Sequence, residues 1–379
     1  MNSPTLVQGR VMKLRIATFN VENLFSRPKV MNFPTWAEGQ PFLDDYYRLN
    51  SLLNKDVYTT ADKNQILKIL TKYRLTAART NNKYFVLYDI RGDLLERPRN
   101  RPASVKATGR ADWLGWVELK SEAIRDEAII NTARVIAEVN PDILVLVEVD
   151  DRPALQRFHD QVLVPFLKSK GIQPFPYNML IDGNDERGID VGVLSRMPIL
   201  RMQSHIADAI DGRKIFSRDC PEYYFEIGGG QELVVLPNHF ASKGSDRTGE
   251  RRTIQAERVR QIYQNLRLLQ PNVIVAGDLN DYPQGGSLDP LIKQTDLRDA
   301  MSLDVYQGFP GTFRTAGEKE KIDYLLLSPQ LAAAVTQVDV ERRGYYAPRK
   351  WESFENINAK TKDRYQASDH HCLWADLQL

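Results

Sequence analysis

Residues 122–149 read EAIRDEAIINTARVIAEVNPDILVLVEV, and this stretch decides the fold class. Ile129, Ile130, Ala133, Ile136 and Ala137 recur at the spacing of a helix face. Asn140-Pro141 ends the helix, because proline has no amide hydrogen and biases the preceding residue away from helical backbone. DILVLVEV then runs apolar on successive residues, the pattern of a strand covered on both faces. Helix, proline turn and doubly apolar strand make one α/β unit.

Working outward, the same kind of strand is predicted at 14–20 (LRIATFN), 189–194 (IDVGVL), 233–237 (LVVLP), 273–277 (in NVIVAG), 322–327 (IDYLLL) and 371–377 (HCLWADL), with a basic helix over 251–269. Residues 26–120 break this rhythm. They are rich in Pro, Asn and Tyr, with a helix expected over 62–73 (DKNQILKILTKY), one strand pattern in YFVLYDI and a Trp113/Trp116 pair. They read as a long insertion within a single domain spanning 1–379.

The 379 residues are 42% hydrophobic and 26% charged, which excludes a disordered or collagen-like chain. Two cysteines, Cys220 and Cys372, offer no disulfide framework and no CxxC metal knuckle. No apolar run is long enough to span a bilayer, and MNSPTLVQGRVMK lacks the apolar core of an export signal, so the expected compartment is the cytoplasm. A formal charge of +2 neither demands nor excludes a polyanionic partner. Local runs say more: RPRNRPASVKATGR (97–110) has five basic residues and no acid, and Arg342, Arg343, Arg349 and Lys350 lie among Tyr345, Tyr346 and Trp351. These are either solvated loops or a phosphate-tracking surface with stacking aromatics.

Glu148 stands inside an apolar strand, where an ionised carboxylate is costly unless a cation meets it. A metal is the economical partner. Other strands also finish in polar residues: Asn20 closes LRIATFN, Asp278 and Asn280 follow NVIVAG, Asp323 opens its strand, and Asp369 and His370 precede theirs. Singly these are ordinary turn residues. Brought together at strand tips they would form an oxygen-rich cation site beside a histidine–carboxylate pair, which suits Mg²⁺ or Mn²⁺. Zinc fits less well, since His370 and His371 would face opposite sides of a strand. His239, in LPNHFASKG ahead of Lys243 and RTGERR, has the position and chemistry to hydrogen-bond a phosphoryl oxygen.

The order FNVENLF, PDILVLVEVD, RGIDVGVLSR, LPNHFASKG, VIVAGDLND, KIDYLLLS, SDHHCLWADL resembles the endonuclease/exonuclease/phosphatase superfamily, from residue 14 to the C-terminus without 26–120. The resemblance implies a four-layer α/β sandwich, two packed β-sheets flanked by helices, that hydrolyses phosphoesters with a divalent metal. It implies metal-side roles for Asn20, Glu148 and Asp369, with Glu148 the principal ligand. It makes Asp278 and Asn280 the pair that orients water and phosphate, and Asp323–His370 the carboxylate–histidine dyad, with His370 and Asp278 rivals as general base. His239 stands where abasic-site endonucleases have tyrosine, which argues against abasic-site repair. Arg187 and Lys243 are the candidate substrate contacts. Cys372 replaces a proline frequent in relatives, a change expected only to alter how the last strand begins.

The expected activity is a Mg²⁺- or Mn²⁺-dependent phosphodiester hydrolase acting on nucleic acid, DNA being favoured. A phosphatase or a sphingomyelinase-like phospholipid phosphodiesterase is the alternative, with a phosphorylated small molecule or lipid head group as its partner; an idle binding scaffold is a third reading. The insertion at 26–120 is expected to line the substrate cleft.

Overall fold

The structure, a computed structural model, describes residues 12–24, 36–77, 82–120, 127–185 and 188–379. It divides into two compact units, residues 1–25 with 124–379, and residues 26–123.

In the larger unit the chain lays down β1 (Lys13–Leu24), β2 (Ile143–Val149), β3 (Tyr177–Leu180) and β4 (Asp190–Ser195) of one sheet. It then builds a second from β5 (Ile199–Gln203), β6 (Glu222–Glu226), β7 (Glu232–His239), β8 (Val273–Asp278), β9 (Arg298–Asp299) and β10 (Asp323–Leu327). The first sheet is completed by β11 (Val335–Glu341) and β12 (Cys372–Gln378). The spatial orders are β11-β12-β1-β2-β4-β3 and β9-β10-β8-β7-β6-β5. Each sheet has one parallel pair at its centre, β1 with β2 and β7 with β8, and every other pairing is antiparallel.

A parallel pair needs a crossover, and helices supply it. Helix α1 (Glu127–Val139) leads into β2, and helix α2 (Glu250–Arg267) joins β7 to β8. Asn140 adopts φ +51°, the left-handed backbone that ends a helix, just before Pro141. Of the expected helical face, Ala133, Ile136 and Ala137 are buried, while Ile130, in the first turn, is 43% exposed. Residues 122–126 lie outside the described residues.

Side-chain alternation makes the layers. Leu14 and Ile16 of β1 and Ile143, Val145 and Val147 of β2 meet Leu233, Val235, Ile274, Ala276, Leu325 and Leu327 of the other sheet in one core. Ala17, Phe19, Leu144 and Leu146 face the other way, onto α1. Val234, Leu236, Val273 and Val275 pack against Ala256, Val259 and Ile262 of α2. Helix, sheet, sheet and helix thus form four layers, and each fully buried Val, Leu or Ile contributes about 1.5–3 kcal/mol.

The unit 26–123 has its own core, in which Leu49, Leu53, Ile66, Leu70 and Phe85 surround Trp113. Two helices, Trp36–Leu53 and Thr60–Lys72, accompany the antiparallel pair of Phe85–Arg91 and Leu114–Leu119. The first helix was not readable from sequence, since Pro41 and Gly39 in its opening turns imitate a loop. The tryptophans divide: Trp113 is enclosed and donates its indole N–H to Asp89 at 2.6 Å, while Trp116 is 43% exposed and stacked on Tyr88. Much of the basic run is engaged locally. Arg97 donates to the Thr76 carbonyl, Arg110 to the Gly115 carbonyl, Arg101 meets Glu96 and Lys106 meets Asp93.

Candidate active site

The polar residues at the strand tips continue the inter-sheet core. Four residues on from Ile16 and in step with it and Leu14, Asn20 belongs to the inward face of β1. Asp278 follows Ile274 and Ala276 in the same phase, His239 follows Leu233 and Val235, and Asp323 precedes Leu325 and Leu327. All four are buried. The end of the apolar core is therefore closed by a polar cluster drawn from both sheets.

Glu148 breaks the alternation. By parity with Val147 it should point outward, yet its φ is +65°, and pairing is irregular on both sides: Val147 and Val149 pair with the adjacent residues Val191 and Asp190 on one side, and on the other with Asn20 and Leu24, between which β1 carries three residues of its own. This is a β-bulge. Val149 returns to the outer face with Leu146, and Glu148 is left with its carboxylate 3.9 Å from His239 Nε2. The expectation of a glutamate buried in a regular strand is refined: its side chain is 20% exposed, at a bulge.

The contacts within the cluster are short. His370 Nδ1 donates to Asp323 Oδ2 at 2.9 Å, and the Thr312 hydroxyl donates to the same oxygen at 2.7 Å. His370 Nε2 lies 4.0 Å and His239 Nε2 3.7 Å from Asp278 Oδ2. Asn20 Nδ2 donates to that oxygen at 3.2 Å, and the Asn280 backbone amide to Asp278 Oδ1 at 2.8 Å. Burial, then the Asp323 charge, push Asp278 up to about 7. For His370 burial works against the charged form, but Asp323 by charge and hydrogen bond, followed by Asp278 and Asp369, raises it to about 10. A charged His370 thus sits beside a carboxyl that titrates near neutrality.

A second acid group adjoins this one. The Asp369 backbone amide donates to Glu22 Oε2 at 2.8 Å, and Asp369 Oδ1 is 3.9 Å from His370 Nε2. Glu22 was missed in the sequence reading, although FNVENLF places it two residues after Asn20. Its backbone, at φ +48°, donates to Asn20 Oδ1 at 3.0 Å, so the same bulged strand end sets both side chains. Although its side chain reaches solvent, surrounding protein and then the Asp369 charge push Glu22 up to about 7.

A cluster of acids is what a divalent cation neutralises. Glu148, Asp369 and Glu22, with the Asn20 amide, offer hard oxygen donors for Mg²⁺ or Mn²⁺. Among the described residues, the group whose ligand atoms all lie within 4.8 Å of one another is Asp278, Asp323 and His370, but Asp323 and His370 Nδ1 are committed to each other. The oxygen-rich side is the better fit. His371 lies away from it: its Nε2 donates to the Arg314 carbonyl at 3.0 Å and its ring meets Trp351 edge-on.

The model of the endonuclease/exonuclease/phosphatase family matches residues 120–370. The chain belongs to that family. Among solved structures, an endonuclease/exonuclease/phosphatase family protein from Bacteroides thetaiotaomicron is similar in fold, with 13% identity, a TM-score of 0.50, and coverage of 97% of this chain and 98% of that one. Truncated TDP2 from Caenorhabditis elegans is 18% identical with a TM-score of 0.45, covering 66% of this chain and 90% of its own. The catalytic domain of human Nocturnin, solved with sulfate bound, is 17% identical with a TM-score of 0.44, covering 66% of this chain and 85% of its own. No curated protein matches the chain. The family includes metal-dependent nucleases and phosphatases.

The strand tips of this family member thus bring together Asn20, Glu148, His239, Asp278, Asn280, Asp323, Asp369 and His370. Lys243 is held against Asp281 at 3.0 Å and over the Tyr282 ring. Arg187 lies outside the described residues. The arginines of α2 are engaged with the protein itself: Arg252 with Asp246, Arg258 with Asp208, Arg260 with Glu257 and Arg267 with Asp296.

Proposed function

We propose that this protein is a divalent-metal-dependent phosphodiesterase that cuts nucleic acid, with DNA the favoured substrate. The observation that carries the reading is the meeting of Glu148, displaced by its bulge, with His239, Asp278 and the Asp323–His370 pair at the end of the inter-sheet core. A divalent cation held by Glu148, Asp369 and Asn20, with Glu22 in reach, would supply neutralisation of charge on the phosphoryl oxygens and leaving oxygen.

The chain's own residues do the rest. Asp278, poised near neutral pH, takes the proton from the attacking water, and Asn20 and Asn280 fix its two oxygens. His370 is kept cationic by Asp323 and, with His239, stabilises charge on the pentavalent phosphorus. This assignment prefers Asp278 to His370 as base, because a histidine charged up to about 10 is a poor acceptor at neutral pH.

The test is incubation of the full chain with supercoiled plasmid, single-stranded DNA, RNA, sphingomyelin and inositol phosphates, each with Mg²⁺, Mn²⁺ or EDTA. Metal-dependent plasmid cleavage is expected. Turnover confined to sphingomyelin or inositol phosphates would transfer the site to the lipid or phosphatase reading, and equal activity in EDTA would remove the metal.

A further inference from the structure

The turn at residues 312–317 carries a guanidinium to the rim of the site without any role in the chemistry above. Arg314 has φ +42° and Ala316 φ +60°, left-handed backbone that residues with a Cβ adopt only when their surroundings impose it. Here the surroundings are the residues around His370. The Arg314 amide donates to the Asp369 carbonyl at 2.7 Å, and the His371 amide to the Thr312 carbonyl at 2.8 Å. His371 Nε2 donates to the Arg314 carbonyl, and Phe313 bridges to His370 with ring centroids 4.7 Å apart. The turn is thereby fixed to the segment that holds the reactive histidine.

What this holds in place is an outward-facing cation. The Arg314 side chain is 58% exposed and lies over the Phe313 ring, with Nε 3.6 Å from Asp369 Oδ2, beyond a hydrogen bond. Asp369 in turn stands 3.9 Å from His370. One carboxylate therefore separates Arg314 from the His370–Asp278–His239 set. Nearby cations are committed elsewhere: Arg342 is buried against the Gly311 and Phe309 carbonyls, and Arg343 pairs with Glu341. A planar fork of donors, supported on a ring and facing solvent, suits a phosphate more than it suits a loose pair with Asp369.

We propose that Arg314 binds a second phosphate of the substrate, next along the chain to the one hydrolysed, so that the site favours substrates with at least two phosphodiester groups in series. This rests on the phosphodiesterase reading of the site. His371 is then a positioning residue for Arg314, since it holds the carbonyl of the strained turn.

The experiment compares the wild type, Arg314→Ala and Arg314→Lys on two substrates, a short oligothymidylate and bis(p-nitrophenyl) phosphate, which has a single phosphate. Arg314→Ala is expected to raise KM for the oligonucleotide by about tenfold more than for the ester, and to reduce the salt dependence of log KM by roughly 0.7, the value for one phosphate contact on a single strand. Arg314→Lys should restore the salt dependence but only part of the affinity. Equal losses on both substrates, or no loss on either, would overturn the proposal. If the wild type hydrolyses the ester but neither binds nor cleaves the oligonucleotide, the nucleic-acid reading falls and this proposal with it. If it cleaves both and Arg314→Ala behaves as wild type, only the role of Arg314 falls.

Discussion

Two aspartates show how differently the two units use their polar residues. At the start of the helix Thr60–Lys72, Asp62 receives Lys55 at 2.6 Å and the Thr59 amide and hydroxyl, bonds that hold it down to about 2. Asp278 in the larger unit is fully enclosed, faces another acid, and is pushed up to about 7. The first serves folding through a reciprocal helix cap. The second is held in a state that folding alone does not favour, which is the usual mark of a functional group. Asp62 finds its partners within seven residues, whereas the polar residues at the end of the inter-sheet core meet across distant parts of the chain.

The sharpest test of this contrast is the loss of activity. Glu148→Gln should weaken metal binding, read by calorimetry, and lower turnover by orders of magnitude with the thermal transition little changed; full activity in EDTA would break the assignment. His239→Ala and His370→Ala should each lower kcat on the order of 10²-fold or more. Loss of the enclosed Trp113 belongs to the other side of the comparison. Trp113→Ala should cost about 3–5 kcal/mol within the 26–123 unit, measured by denaturant unfolding. A tolerant Trp113 would mean that this unit's core is not what holds it.

Smaller effects separate the acids by sign. Glu22 has its pKa raised above its ordinary 4.5 to about 7, so its ionised form costs stability above pH 4.5, fully so once the pH exceeds 7. Glu22→Gln should therefore raise Tm at pH 8 and not at pH 4, and Mn²⁺ should raise the Tm of the wild type more than that of the variant. Asp62 is depressed from 3.8 to about 2, so Asp62→Asn should lower Tm above pH 4, a difference that vanishes as the pH falls through 2. Smallest of all, neutralising Arg97, Arg99, Arg101, Lys106 and Arg110 together should weaken binding of a long polyanion several-fold more than turnover of a small phosphodiester. The local pairing of Arg97, Arg101, Lys106 and Arg110 limits the size of that effect. Equal losses on both substrates would assign these residues to folding instead.

Legibility in the sequence followed pattern strength. Seven strands, β1, β2, β4, β7, β8, β10 and β12, and the crossover helices were readable because doubly apolar runs and helical spacing leave few alternatives, whereas β3, β5, β6, β9 and β11, which lack such apolar runs, were not. Residues that end those strands, Asn20, His239 and Asp278, could be found by position alone. The bulge at Glu148 could not, for a physical reason: ILVLVEV is apolar on both faces, so an inserted residue shifts the parity of the strand without disturbing any visible alternation. Glu22 escaped for a related reason, since its direction is set by a left-handed backbone angle and not by strand phase. Trp113 and Trp116 look alike three residues apart, and only the cross-strand register, which sets Trp116 opposite Tyr88, tells the core side chain from the exposed one.

The skipped pairing of Glu148 also says something about inheritance. On the β4 side Val147 and Val149 meet adjacent residues as though nothing stood between them, while on the β1 side they meet Asn20 and Leu24, which have three residues of their own between them. Deleting the single codon for Glu148 would therefore make the pairing with β4 regular and remove a left-handed residue that costs about 1–3 kcal/mol, with residues 21–23 of β1 still looped out on the other side. Most in-frame deletions in a central strand throw every later side chain onto the wrong face. This one would keep the later side chains in phase on the β4 side and remove the carboxylate that meets His239. A single deletion at this position would thus part the chemistry of the site from the pairing of the strand that carries it.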